Sequence, residues 1–267
     1  MAHSKSNIPA QNPPKILFYD IETSPLKAYV WGLGKQVVRH PQLDKAYSQY
    51  GIICVTYCWN DGKPAKCIDW DYKKQDSKAV IKEFDKIIRQ ADFTIGKNNK
   101  RFDEKMINAV RMFSNLPGLP EWVRYSDDLE QQMRRYFRLP SQSLDYISDQ
   151  LGLGGKIKME FQDWIDIVEQ NKNGLKAFKK MCKYGIKDVE DTRTIWNKLI
   201  THFDPKFNHG AFLHGNWTSA CKYCGSTDIR INGSFMSGSV RRTKFTCKTC
   251  KHYAGSRPTD WKKGKLT

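Results

Sequence analysis

The sequence predicts an α/β protein: one domain built on a mixed central sheet flanked by helices, followed by a small ribbon held by cysteines. Three observations predict this. Short apolar or β-branched runs alternate with helical periodicities between residues 15 and 203, in the order three strands, a helix, a strand, a helix, a strand, then helices. The first of those runs ends in two carboxylates, and residues 219–256 carry two Cys-x-x-Cys pairs.

The opening strand is Lys15-Ile-Leu-Phe-Tyr-Asp-Ile-Glu-Thr-Ser-Pro25. Its apolar run leads into Asp20 and Glu22, and Pro25 stops it. Strand side chains alternate faces, so Asp20 and Glu22 point the same way, about 7 Å apart. Two carboxylates so placed repel each other, and a hard divalent cation such as Mg²⁺ or Mn²⁺ relieves them. Residues 26–50 read as a long loop. Ile52 to Trp59 and Ala65 to Trp70, joined by Asn60-Asp-Gly-Lys-Pro64, read as a hairpin beside the first strand.

Asp76 or Ser77 caps a helix through Arg89, with Val80, Ile81, Phe84, Ile87 and Ile88 at helical spacing. Phe93 to Gly96 is a short strand, and a polar turn leads into a helix from Phe102 to Phe113. Trp122 to Tyr125 is expected as another strand. A helix follows from Asp127-Asp128 to Tyr136, and Ser141 or Ser143 caps the next, Leu144 to Leu151. Helical segments are expected from Gly174 to Lys183 and from about Ile186 to His202.

Two further acids stand out. Asp103 opens a helix, where free backbone N–H groups favour a carboxylate. Tyr184 and Asp188 are i and i+4 on one helix face, so a phenol and a carboxylate can address one site. Asp191 competes, and the tyrosine spacing favours Asp188.

Asp20-Ile-Glu22, then Asn98 with Phe102-Asp103, then Tyr184 with Asp188, resemble the three motifs of the DEDD superfamily of 3′-5′ exonucleases. This is the DnaQ-like, RNase H-fold group, in its tyrosine subclass. Ser143-Leu-Asp145-Tyr-Ile with Leu151-Gly-Leu153 is similar to a segment often found between the second and third motifs. The stretch also resembles the PolB-like exonucleases seen as stand-alone, often phage-encoded, proteins. Where many members have His-Asn in the second motif, this chain has Lys97-Asn98.

The resemblance implies an RNase H-like fold and a metal-dependent 3′-5′ exonuclease that releases nucleoside 5′-monophosphates from DNA. It implies two Mg²⁺ or Mn²⁺ ions, one held by Asp20, Glu22 and Asp188, the other by Asp20 and, through water, Asp103. Tyr184 would orient or deprotonate the attacking water, and Asn98 and Phe102 would meet the nucleic acid. RNA as the substrate is one alternative. A non-catalytic nucleic-acid-binding protein with a vestigial site is another.

The two pairs, Cys221/Cys224 and Cys247/Cys250, suit a tetrahedral structural Zn²⁺ site, with the intervening residues as ribbon strands. No ligand position is left open for a catalytic zinc. Cys54, Cys58, Cys67 and Cys182 read as scattered buried thiols of a reducing compartment. Arg241, Arg242, Lys244, Lys248 and Lys251, interleaved with Phe245 and Tyr253, suit phosphates and stacked bases, and the rival use of the ribbon is protein docking.

Charge agrees with a polyanionic partner. The chain carries +17, of which residues 205–267 contribute +10 through 12 Lys and Arg against two Asp. Expected partners are DNA with a 3′ end and a replication or repair protein. No apolar run approaches 18 residues and the tail lacks an amphipathic helix, so no membrane role is expected. Residues 1–14 are polar, expected to be flexible, and lack a signal-peptide core, which points to the cytoplasm of a bacterial or phage-infected cell. Residues 204–218 are expected as a linker, with His209 and His214 as surface residues, and 257–267 as a basic tail.

Overall fold

The computed structural model describes residues 12–32, 34–35, 37–39, 42–44, 50–154, 157–214, 220–255, 261–262 and 265–266. Expectations for residues 1–11, 215–219, 256–260, 263–264 and 267 lie outside the described residues. Packing divides the chain into two units, one of which is Lys15–Asn197 and the other of which holds residues 198–267.

The first unit is built around β1 (Ile16–Thr23), whose residues Ile16 to Tyr19 are all buried. A continuous apolar run of this kind marks a strand covered on both faces. β2 (Ile52–Trp59) pairs antiparallel with β1, and β3 (Lys66–Asp69) antiparallel with β2, as the hairpin signal predicts. α1 (Ser77–Ile88) starts where Asp76 accepts the Lys78 and Ala79 N–H groups at 2.9 and 3.2 Å. It buries Val80, Ile81, Phe84 and Ile88. β4 (Phe93–Gly96) then pairs parallel with β1. α2 (Asp103–Phe113) follows, and β5 (Asp127–Asp128) pairs parallel with β4. The sheet order is β3-β2-β1-β4-β5, a mixed five-stranded sheet flanked by helices. Leu17, Tyr19 and Ile21 join α1 and α2 residues in the core. Asp20 and Glu22 alternate to the opposite face.

Trp122 to Tyr125 is not a strand. It lies in a 3-10 turn, Glu121–Tyr125, with Val123 1% exposed but Trp122 and Tyr125 well exposed. One anchor per turn, without alternation, cannot fill a sheet position. Asp128 caps α3 (Leu129–Tyr136) rather than lying inside it. α4 (Leu144–Gln150) is capped by Ser143, whose hydroxyl accepts the Tyr146 N–H at 3.2 Å.

Two departures from expectation concern helices. α5 (Phe161–Glu169) has no sequence-based counterpart; its first turn is closed by the Asp163 carboxylate, which accepts the Glu160 N–H at 2.9 Å. α6 (Gly174–Leu199) is one continuous helix of 26 residues rather than two segments. Gly185 does not break it. A Cβ there would lie 2.8 Å from Thr56 Cγ2, so glycine permits close approach to β2, which offsets the roughly 1 kcal/mol cost of an interior helical glycine.

In the second unit the expected linker is not plain coil. It contains α7 (His209–His214), where His209 faces the Lys222 carbonyl at 3.2 Å and His214 faces the Gly225 carbonyl at 2.7 Å. β6 (Ile229–Ser237), β7 (Val240–Cys247) and β8 (Tyr253–Gly255) form a three-stranded antiparallel ribbon. Within the expected tail, β9 (Trp261–Lys262) pairs with β10 (Lys265–Leu266). No helix among the described residues is long and apolar enough to cross a membrane.

Candidate active site and cysteine cluster

Three elements bring the acids singled out in the sequence toward one another. Asp20 and Glu22 come from β1, Asp103 from the first turn of α2, and Asp188 from α6. The Ile21 N–H donates to Asp103 Oδ1 at 3.1 Å, which fastens the start of α2 to the strand that carries the other two. Asp103 is 2% exposed, while Asp20, Glu22 and Asp188 are half-buried.

Electrostatics reports the convergence. Burial, and then the charges of Asp103, Glu22 and Asp188, hold the Asp20 carboxyl well above the ordinary range, against a smaller opposing effect of Lys97. Glu22 rises to about 8, first through burial and then through Asp188 and Asp103. Asp103 rises to about 7 through burial, opposed by its own N–H and that of Ile21. Negative charges so placed destabilise one another, and a bound cation is what relieves them. The acids are spread more widely than the cysteines: among the described residues, the sets of three or more ligand atoms within 4.8 Å of one another are all sulfur.

Tyr184 lies where the i, i+4 spacing predicts. It shares a hydrogen bond with Asp188, and burial, followed by the charges of Asp188 and Glu22, pushes its hydroxyl far above the usual phenol value. Asp191, the competing acid, is committed elsewhere: it accepts from Ser148 Oγ at 3.0 Å and from Lys187 Nζ. Trp164 of α5 was missed by the sequence reading. Its side chain hydrogen-bonds to Glu22, and its ring meets that of Tyr184 edge-on at 6.4 Å. A tryptophan near the start of an unrecognised helix was the one available signal.

Among the expected nucleic-acid contacts, Asn98 sits in a left-handed turn (φ 60°) between β4 and α2, its N–H donating to Asp128 Oδ1 at 2.9 Å. Phe102 is 40% exposed beside it. Lys97 pairs with Glu130 at 3.0 Å.

In the ribbon, Cys221, Cys224, Cys247 and Cys250 place their sulfurs within 4.8 Å of one another, with the Cys221–Cys250 and Cys224–Cys247 pairs each at 3.6 Å. The backbone N–H groups of Tyr223 and Cys224 point at the Cys221 sulfur, and those of Thr249 and Cys250 at the Cys247 sulfur. At Cys221 these N–H groups oppose the burial that pushes the thiol up, and at Cys247 they help lower it; the four sulfurs can hold a tetrahedral metal such as zinc. Arg241, Lys244, Lys248 and Lys251 are exposed and Arg242 is half-buried; Lys248 pairs with Asp228 at 2.9 Å. Arg242 and Lys244 alternate onto one face of β7. Phe245 is buried, at 6% exposed, so it packs the ribbon rather than stacking on bases, whereas Tyr253 is exposed.

The fold and this geometry define a class: a mixed-sheet α/β domain with an acid cluster, joined to a four-cysteine ribbon. No protein-family model matches the sequence, and no curated protein matches it. Among solved structures, the chain is similar to the family B DNA polymerase from the hyperthermophilic archaeon Pyrobaculum calidifontis, with a TM-score of 0.53 and 12% identity. The match covers 86% of this chain and 32% of the polymerase, so the chain corresponds to about a third of that protein's length. At this identity the likeness concerns the fold.

Proposed function

We propose that the chain is a divalent-metal-dependent 3′-5′ exonuclease acting on DNA, with the ribbon as an aid to nucleic-acid binding. The observation that supports the reading is that Asp20, Glu22, Asp103 and Asp188, from three elements, lie near enough for their charges to act on one another, with the Tyr184 phenol hydrogen-bonded to Asp188. Likeness in fold to a DNA polymerase supports nucleic acid as the partner class.

The donor set fits Mg²⁺ or Mn²⁺, since it is all carboxylate oxygen and its mutual repulsion is what a hard dication offsets. Asp20, Glu22 and Asp188 would hold one ion, and Asp20 with Asp103 would help hold the second. When bound, such ions supply a water-derived nucleophile at neutral pH and a counter-charge for the leaving 3′ oxygen. The protein's own groups fix the geometry. Ile21 N–H orients Asp103, and Trp164 orients Glu22. Without bound metal, burial and then the charges of Asp188, Glu22 and Asp20 disfavour the Tyr184 phenolate. Hydrogen-bonded to Asp188, it would orient the attacking water. In the ribbon, the four cysteines would hold one structural Zn²⁺.

The test compares wild type with Asp20→Ala on equal amounts of 3′-labelled single-stranded DNA and RNA in Mn²⁺. Release of nucleoside 5′-monophosphate from DNA, abolished by the substitution, is expected. Release from RNA alone would convert the reading to a ribonuclease. Binding without release from either substrate would leave a nucleic-acid-binding protein.

A further inference from the structure

Four cysteines lie outside the ribbon, and the fold gathers three of them instead of scattering them. Cys54 on β2, Cys67 on β3 and Cys182 on α6 bring their sulfurs within 4.8 Å of one another. Cys58 stands apart, its thiol donating to the Val189 carbonyl at 3.9 Å.

Sheet register explains the gathering. Glu22 lies opposite Cys54, and Cys54 opposite Asp69; one row along, Asp20 lies opposite Thr56, and Thr56 opposite Cys67. Residues directly opposite in an antiparallel ladder share a face, as do residues two apart on a strand. Cys54, Cys67 and Asp69 therefore occupy the face that carries the acids, displaced toward the sheet edge. Gly185 lets α6 press on Thr56. Cys182, about one turn earlier, reaches Cys67 with the sulfurs 2.7 Å apart, and donates to Asp69 Oδ2 at 3.4 Å.

Three thiols converge from three elements, and the Asp69 carboxylate stands at their edge, hydrogen-bonded to Cys182 and outside the 4.8 Å spread of the sulfurs; drawn in by an ion, it would complete a four-donor set for a thiophilic dication. We infer that Cys54, Cys67, Cys182 and Asp69 form a second metal site, one that takes Zn²⁺ and fastens α6 to β2 and β3. Binding sends the thiol protons to solvent and leaves sulfur's oxidation state unchanged. The Cys67 and Cys182 sulfurs part from 2.7 Å toward the 3.6 Å that separates the ribbon pairs. Cys54 is fully buried, Cys67 and Cys182 are half-buried and Asp69 is exposed, so the ion enters from the Asp69 side. A Cys67–Cys182 disulfide would compete for the same place. It would leave the Cys54 thiol and the Asp69 carboxylate unused, and the present separation is longer than the roughly 2.0 Å of an S–S bond.

Zinc content of the full-length chain, measured after dialysis against a weak chelator, tests the site. Two zinc ions per chain are expected. The double substitution Cys221→Ser/Cys224→Ser should retain one. Co²⁺ loaded into that variant should show sulfur-to-cobalt charge-transfer absorption, abolished by adding Cys67→Ser. Asp69→Asn, at an exposed position, should weaken Co²⁺ binding by about tenfold or more, and it decides the matter if Cys67→Ser does not fold. Loss of all zinc with the ribbon substitutions would overturn the site. So would absence of the charge-transfer band, or a Cys67–Cys182 disulfide in the peptide map of alkylated protein.

Discussion

At Glu22 the fold holds a carboxyl near 8 against an ordinary 4.5, chiefly by burial. A carboxyl raised in this way is protonated more readily in the folded chain than in the unfolded one, so it withdraws stability as pH climbs from about 4.5 to about 8, and no further above that. In EDTA, wild type should therefore lose melting temperature relative to Glu22→Gln across that window. Mn²⁺ should restore wild type most at the alkaline end. Parallel curves for the two proteins in EDTA would show that Glu22 is not held as described. Tyr184 belongs to the same scale. On the proposed reading, Tyr184→Phe removes the hydroxyl that would orient the attacking water and leaves the carboxylates in place, so kcat should fall by about 10²-fold with KM little changed. An equal loss of both binding and turnover would mark the tyrosine as a structural support instead. Asp20, Glu22 and the Tyr184/Asp188 pair were legible because strand and helix periods put them on shared faces. Trp164 and the three clustered cysteines were not. Their partners lie on other elements, and no local period encodes that.

Among the elements, the contact between α6 and β2 governs how the face is assembled. Gly185→Ala would gain helix propensity of about 1 kcal/mol on an exposed helix. Here the new Cβ meets Thr56 Cγ2 at 2.8 Å and Oγ1 at 3.0 Å, so a net destabilisation of about 1–3 kcal/mol is expected. Thr56→Ala removes both atoms, and the double variant should cost less than the sum of the two single changes when measured by urea unfolding. Simple additivity would mean that the helix does not press there. The sequence placed β1 to β4, α1, α2 and α4 closely, because caps and periods in those stretches act locally. It missed α5, whose first turn is closed by an aspartate acting backward on Glu160 with no Ser or Thr to announce it. It also split α6 at Gly185, since the compensating contact with Thr56 is far away in the chain.

For the molecule as a whole, charge is the property that composition alone made visible. Residues 205–267 hold +10 of the chain's +17, yet among the described residues the ribbon's buried side chains are few, chiefly Ala220, Cys221, Tyr223, Phe245 and Cys247. So small a core leaves its surface side chains for other uses. Arg242→Glu with Lys244→Glu should weaken single-stranded DNA binding, and should flatten the dependence of log affinity on log salt by about 0.7 for each phosphate no longer neutralised. Turnover at saturating substrate should be kept. An unchanged salt slope would point to protein docking as the ribbon's use.

The row-by-row pairing of β1, β2 and β3 also bears on which sequence changes this chain can tolerate. Because Glu22, Cys54 and Asp69, like Asp20, Thr56 and Cys67, line up across three strands, adding or deleting one residue inside β2 exchanges its two sides. Ile53 and Val55 would then face α6, and Cys54 and Thr56 would enter the oily layer beneath α1. Length changes within β2 are thus all-or-nothing, whereas the exposed turn at residues 61–64 that follows can lengthen without exchanging the two sides, losing at most the Arg193 hydrogen bond to the Lys63 carbonyl. An insertion scan across residues 52–64 should show that boundary as a step.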